Sequence, residues 1–184
     1  MIITIAGMPG SGKTSVAKEL SKRLGVKLVS AGDRLAVIAN DNKITIDELL
    51  ARNDDADYLI DGYQKQLGES KEPMIIEGKI SWYLIPDSFK ILVTCDEDEG
   101  ARRIYEDWKN GNRSDEPDYK NIEEAKKANT ERVARFIAKF KKLYGIEKYY
   151  DPSRFDFVLD TTHSSGPEEN ADKIINAMKE KGVI

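Results

Sequence analysis

The chain has 184 residues, 40% apolar and 34% charged, with 29 Lys and Arg against 33 Asp and Glu. That size and balance fit one globular domain and exclude a disordered segment or two independent domains. The formal charge of −4 excludes the strong positive field of a non-specific nucleic-acid or membrane-surface binder, while leaving room for a local basic pocket.

No apolar run approaches the roughly 20 residues of a membrane span, and no charged stretch leads into an apolar one as a signal peptide requires. The single cysteine, Cys95, has no partner for an internal disulfide. A cytoplasmic protein without a nucleic-acid polymer or membrane partner is therefore expected; a monomer is expected alongside, although nothing in the sequence fixes the oligomeric state.

Ile2–Ala6 is almost continuously apolar, as in a strand buried on both faces. Thr14 to Leu24 carries Val16, Ala17, Leu20 and Leu24 at helical spacing, and Gly25 stops it. Further strands are predicted over Lys27–Ser30, Met74–Glu77, Lys90–Thr94 and Asp156–Asp160. A closing helix is predicted over Glu168–Lys181, with Ala171, Ile174, Ile175 and Met178 on one face. This alternation predicts an α/β fold, a parallel sheet covered by helices on both faces.

Two connections are too long for simple crossovers. The first, 31–72, has helical apolar spacing at Leu35, Ile38, Ala39, Ile46, Leu49, Leu50, Leu59, Ile60 and Tyr63. The second holds a long helix, Ile122–Tyr144, with a stripe of Val133, Phe136, Ile137, Phe140, Leu143 and Tyr144. The polar run Lys109–Pro117 before it reads as a loop tip. Insertions of this kind serve as lids or binding loops.

Residues 7–14 read Gly7-Met8-Pro9-Gly10-Ser11-Gly12-Lys13-Thr14, a complete G-x-x-x-x-G-K-[ST] between a buried strand and a helix. Glycines let backbone N–H groups turn onto phosphate oxygens, and the helix start adds its positive end. In that pattern Lys13 meets the β- and γ-phosphates of ATP, and the Thr14 hydroxyl binds Mg²⁺. The ATP-binding set is then Gly7 through Thr14 together with Ser15. Glu77 ends a buried strand at the sheet edge where ligands bind, so it reads as a metal partner of Thr14 or as an ordinary strand-end acid. Asp33 reads equally as an acceptor contact or as a helix N-terminal acid.

The opening MIITIAGMPGSGKTSVAKELSKRLGVKLVSAGD, Glu77-Gly78, the ARRI at 101–104, Tyr144-Gly145-Ile146 and the FVLDT at 157–161 resemble the nucleoside monophosphate kinases, most closely the archaeal-type cytidylate kinases. The likeness spans nearly the whole chain and is most specific in residues 1–33. It implies a three-layer P-loop fold with a five-stranded parallel sheet and two mobile insertions. The core is expected at 1–30, 73–104 and 145–184, the acceptor-binding insertion at 31–72, and the lid with its return helix at 105–144. The implied reaction passes the γ-phosphoryl of ATP to CMP or dCMP with Mg²⁺. Positive charge around the moving group carries such chemistry.

On this resemblance Arg103 and Arg132 fall on family arginines, Arg113 sits at the lid tip, and Gly32, Asp33, Gly78 and Lys79 line the acceptor side. Three positions depart from the family: Ala36 and Asp107 replace arginines, and its EGR becomes Glu77-Gly78-Lys79. Lysine keeps the charge and loses the two-pronged grip. Arg34, about 200° around a helix from position 36, is a poor substitute for the arginine missing there. Two alternatives therefore stay open: a P-loop kinase for another small acceptor, and an ATP-binding module that hydrolyses slowly without one.

His163 reads as a loop residue, and Arg102 as a surface arginine on a charged helix. Cys95 and Trp82-Tyr83-Leu84 read as core. Asp96–Glu99 reads as the acidic first turn of a helix, and Asn53–Asp57 as a helix–helix turn.

Overall fold

The computed structural model describes residues 1–33, 43–44, 55–113 and 118–184. Leu35, Ile38, Ala39, Ile46, Leu49 and Leu50 of the first insertion, positions 34 and 36, and residues 114–117 of the loop tip lie outside them.

Five strands form one sheet: β1 (Ile2–Gly7), β2 (Lys27–Ser30), β3 (Met74–Glu77), β4 (Phe89–Thr94) and β5 (Phe157–Asp160). Their order is β2-β3-β1-β4-β5. Every pairing is parallel, with Ile5 opposite Glu77 on one side of β1 and opposite Ile91 on the other. Parallel strands need crossovers, which the helices supply: α1 (Lys13–Leu24), α2 (Asp55–Gly68), α3 (Ser81–Leu84), α4 (Glu97–Lys109), α5 (Ile122–Tyr144) and α6 (Pro167–Glu180).

The strand sequences explain the layering. Side chains alternate between sheet faces, so a strand covered on both sides is apolar throughout. Ile3, Ile5 and Ile75 face one core, completed by Val16 and Leu20 of α1 and Ile174 and Met178 of α6. Ala6, Met74 and Ile76 face the other, against Trp82, Phe140, Ile146 and Tyr149. Thr4 sits fully buried on this second face and is satisfied there by Ser88, with 2.8 Å between hydroxyl oxygens. A smaller cluster of Ile104, Tyr119 and Ala125 joins α4 to α5.

Helix starts follow their caps. Asp96 accepts from the N–H groups of Asp98 and Glu99, and Glu97, Asp98 and Glu99 fill the first turn of α4. Asn121 accepts from the Glu124 N–H at the start of α5. At α1, by contrast, Gly12 stands at the cap and no side chain satisfies the first N–H groups.

Three expectations change. Of the turn expected over Asn53–Asp57, Asn53 and Asp54 lie outside the described residues, and Asp55 already opens α2. The loop tip begins only at Asn110, since α4 runs through Lys109. Trp82 and Leu84 are core, but Tyr83 is 43% exposed, because a single short turn at α3 can bury only one side. Among the described residues no helix is long and apolar enough to cross a membrane.

Candidate active site

The loop between β1 and α1 lies at the C-terminal edge of the sheet, with β3 on one side and β4 on the other. That is the crevice where open α/β sheets bind ligands. Gly10 holds φ at +78°, and a Cβ there would stand 2.3 Å from the Gly100 carbonyl oxygen of α4. Only glycine permits both the left-handed backbone and this close approach. Ser11 is buried, and the Thr161 hydroxyl lies 2.9 Å from its carbonyl oxygen, pinning the loop to the end of β5.

Behind the loop, Glu77 gathers the polar side chains. It is only 7% exposed. Its Oε1 accepts a hydrogen bond from the Thr14 hydroxyl at 3.0 Å and lies 3.6 Å from Lys13 Nζ. A carboxylate this buried needs partners, and the motif's lysine and threonine are those partners.

In front of Glu77 opens a cavity of about 240 Å³. Gly7, Pro9 and Lys13 line it from the loop, Gly32 from the end of β2, and Glu77, Gly78 and Lys79 from the end of β3. Gly78 is forced by crowding: a Cβ would stand 2.2 Å from Ser81 Oγ and 3.0 Å from Gln64 Oε1.

Lys79 Nζ sits 4.1 Å over the Phe136 ring centroid. Desolvation, then the neighbouring Lys13 and Arg132 charges, push its pKa down to about 8, against the pull of Glu77. Lys139 lies close enough to push the same way, and it also lines the cavity. The cavity therefore concentrates positive charge inside a chain of net charge −4.

The remaining predicted residues are placed as follows. Asp33 is exposed beyond the rim, its N–H donating to Ser30 Oγ at 3.3 Å. Arg103 turns to the loop after β5, donating to Thr161 O at 2.7 Å and to Glu99 Oε1 at 2.7 Å. It also reaches Thr161 Oγ1, the atom that holds Ser11, so Arg103 is one hydrogen bond removed from the loop. Arg102 makes a paired contact with Glu99 at 2.8 Å. The two guanidiniums, Arg102 first, hold the Glu99 carboxyl down at about 2. Arg113 lies 3.5 Å from Asp107. Asp107, expected to stand in place of a family arginine, thus engages Arg113, the arginine expected at the lid tip. Arg132 stands near Lys79.

A second, more open hollow of about 750 Å³ is lined by Asp96, Asp98, Glu99, Arg102, Ile122, Glu123, Thr162 and His163. It lies on the far side of the loop from Lys79, and His163 is exposed on its wall.

Several cavity residues escape sequence reasoning. Phe136 and Phe140 read as parts of an apolar stripe and do pack, yet both also face the cavity. Asp61 and Gln64 do leave a trace in the sequence: two polar residues three apart beside Ile60, on the inward stripe of a helix.

The strand order with a complete phosphate loop at its edge is that of a P-loop kinase, a phosphotransferase. Residues 3–129 match the family model described as an AAA domain. The fold is similar to shikimate kinase from Acinetobacter baumannii in complex with shikimate, with a TM-score of 0.64, 13% identity, and coverage of 98% of this chain and 93% of that one. The sequence is 34% identical over 165 residues to the cytidylate kinase of Methanocella arvoryzae, covering 88% of each chain. It is 32% identical over 164 residues to that of Methanothrix thermoacetophila, again 88% of each. The chain belongs to the archaeal-type cytidylate kinase family.

Proposed function

We propose that this kinase transfers the γ-phosphoryl group of ATP to a nucleoside monophosphate, with CMP and dCMP as its preferred acceptors. The observation that carries the reading is the single cavity that joins Lys13 of the phosphate loop to Lys79 and Lys139. A γ-phosphate on Lys13 and an acceptor phosphate on Lys79 would share one water-poor space. Phosphoryl transfer asks for that positioning and charge rather than for a protein nucleophile. The cytidylate kinase relatives support a nucleoside monophosphate as the acceptor.

In this reading the amides from Gly7 to Ser15 cradle ATP, and the uncapped start of α1 adds its positive end. Thr14 and Glu77 present oxygen donors 3.0 Å apart, a hard set that suits Mg²⁺, which takes one or two protein oxygens and fills the rest from phosphates and water. The bound ion would neutralise phosphate charge during transfer. Lys13, Arg103, Arg113 and Arg132 stabilise the moving phosphoryl group. Arg103 and Arg113 turn inward only when residues 105–144 close as a lid. Residues 31–72 form the acceptor-binding insertion, with Gly32, Gly78 and Lys79 on its side of the cavity and Asp33 beyond the rim, where it meets the acceptor only if the insertion closes. The enzyme acts as a monomer without nucleic-acid or membrane partners.

A coupled ADP-release assay with each nucleoside monophosphate, and with shikimate as the hydroxyl control, tests this. Turnover on CMP or dCMP is expected. ATP binding with turnover on shikimate alone, or on no monophosphate, would reject it.

A further inference from the structure

We infer that Thr161 is a positioning residue for ATP: by holding the Ser11 carbonyl, it aims the Gly12 N–H of the phosphate loop at the nucleotide's phosphates. The inference rests on the reading of the loop as an ATP cradle and deepens it; it does not depend on which acceptor is used. Thr161 directly follows β5 and is 2% exposed. Its Oγ1 lies 2.9 Å from the Ser11 carbonyl oxygen and 3.0 Å from that of Thr94. The same oxygen accepts from the Arg103 guanidinium at 3.1 Å.

A hydroxyl has one proton to give. Arg103 occupies a lone pair of Thr161 Oγ1, so the proton turns away from the guanidinium and toward the two carbonyls. The Thr94 carbonyl already accepts the Thr161 N–H at 2.9 Å. The Ser11 carbonyl receives no other hydrogen bond among the described residues. The proton is therefore assigned to Ser11, whose buried carbonyl would otherwise be stranded. The charge on Arg103 polarises the hydroxyl and strengthens the bond it donates.

The consequence reaches the phosphate side through one peptide plane. The Ser11–Gly12 bond is trans, and in a trans peptide the C=O and the N–H point in opposite directions. A Ser11 carbonyl turned back onto Thr161 therefore turns the Gly12 N–H forward. The two residues straddle the surface accordingly: Ser11 is buried and Gly12 exposed. The Gly12 N–H donates to no group among the described residues, and no side chain caps the helix that follows it. Nothing would stand within 4 Å of a Cβ at Gly12, so neither packing nor a side chain of its own holds this peptide in place. Thr161 supplies the restraint from behind, and a donor fixed beforehand loses less freedom when phosphate arrives.

The test titrates MgATP into the full chain by calorimetry, with no acceptor present, and follows the Gly12 amide by ¹⁵N NMR. Thr161→Val keeps the shape and removes the hydroxyl; Thr161→Ser keeps the hydroxyl and removes the methyl. Thr161→Val should bind MgATP about 10-fold more weakly, while Thr161→Ser stays close to the wild type. On adding MgATP the Gly12 amide proton should move downfield in the wild type and in Thr161→Ser, and by less in Thr161→Val. A folded Thr161→Val that binds MgATP as tightly as the wild type would overturn the inference. So would a loss of affinity with the Gly12 shift unchanged, or an equal loss in Thr161→Ser, since either assigns Thr161 a packing role. If Thr161→Val fails to fold, a wild-type Gly12 amide that ignores MgATP overturns it. A wild type that binds no MgATP would instead overturn the reading of the loop as an ATP cradle, and this inference with it.

Discussion

If Lys79 holds the acceptor as proposed, that site should be sensitive to mild alkali. Its pKa of about 8 leaves it charged in about nine molecules of ten at pH 7 and about one in ten at pH 9. If the charged form receives the acceptor phosphate, kcat/KM for the acceptor falls about 10-fold across that interval, because this parameter reports the free enzyme. The limb in kcat lies at higher pH, since a bound dianion holds the proton on. Other groups leave the window clear. A phosphomonoester loses its second proton near 6, burial pushes the Tyr150 phenol in the same cavity well above 10, and burial raises the Cys95 thiol above 9.

Lys79→Arg is the diagnostic variant. A guanidinium stays charged above pH 12 and can still stack on Phe136, so its acceptor kcat/KM should stay flat from pH 7 to 9. The same residue leaves a mark on stability. The unfolded chain keeps this proton to about 10.5 and the folded chain only to about 8. Between those limits the unfolded state binds more protons, so the cost of charging Lys79 is fully present below 8 and is relieved as pH rises toward 10.5. Steady-state profiles at fixed MgATP, paired with urea melts across the same range, read both effects. A flat wild-type profile, or the same limb in Lys79→Arg, would refute the assignment.

Three further outcomes are expected. Lys13→Ala should stay folded but melt below the wild type, since it leaves the buried Glu77 carboxylate without its cation, and should lose measurable turnover at temperatures where it is folded; an active variant would contradict the role given to the loop. Glu77→Gln leaves Thr14 an acceptor but removes the charge beside Lys13; the Mg²⁺ concentration for half-maximal rate should rise and kcat should fall about 100-fold, and an unchanged Mg²⁺ requirement would place the metal elsewhere. Gly10→Ala combines left-handed strain with an overlap on the Gly100 backbone, so it should cost about 2–4 kcal/mol of stability in a denaturant titration; a loss below about 1 kcal/mol would mean that α4 gives way easily.

The ease with which the framework reads from the sequence, against the opacity of the acceptor side, has a physical cause. Strand signals survive because a two-faced buried strand is apolar along almost its whole length: Met74–Ile76 is wholly so, and Ile2–Ala6 is broken only by Thr4, which Ser88 satisfies. The phosphate loop survives because its constraints are local. Gly10 is required by its own φ and by one neighbour, and Lys13 and Thr14 follow within a turn. Arg103 shows the limit. Its position in ARRI is visible in the sequence, but its hydrogen bonds to Thr161 bridge 58 positions.

The cavity proposed to take the acceptor is assembled from residues whose individual signals point to other roles. Phe136 and Phe140 satisfy a helical core stripe, and they do pack in the core; that they also line a cavity with the end of β3 is set by packing between distant segments. Asp61 and Gln64 break an apolar stripe on a helix too short and mixed to register the break, until Tyr144 and Ser81 anchor them from 83 and 17 positions away. Charge behaves the same way. The sum over the chain is −4, yet Lys79 feels Lys13, Arg132 and Lys139 together because three elements converge there. On the proposed reading, a chain of net charge −4 with several cations gathered at one cavity would favour a small dianion over a polyanion, whose extended backbone does not fit so small a space. That selection is set by convergence in space, so raising the ionic strength should weaken acceptor binding far less than it weakens an exposed cationic patch.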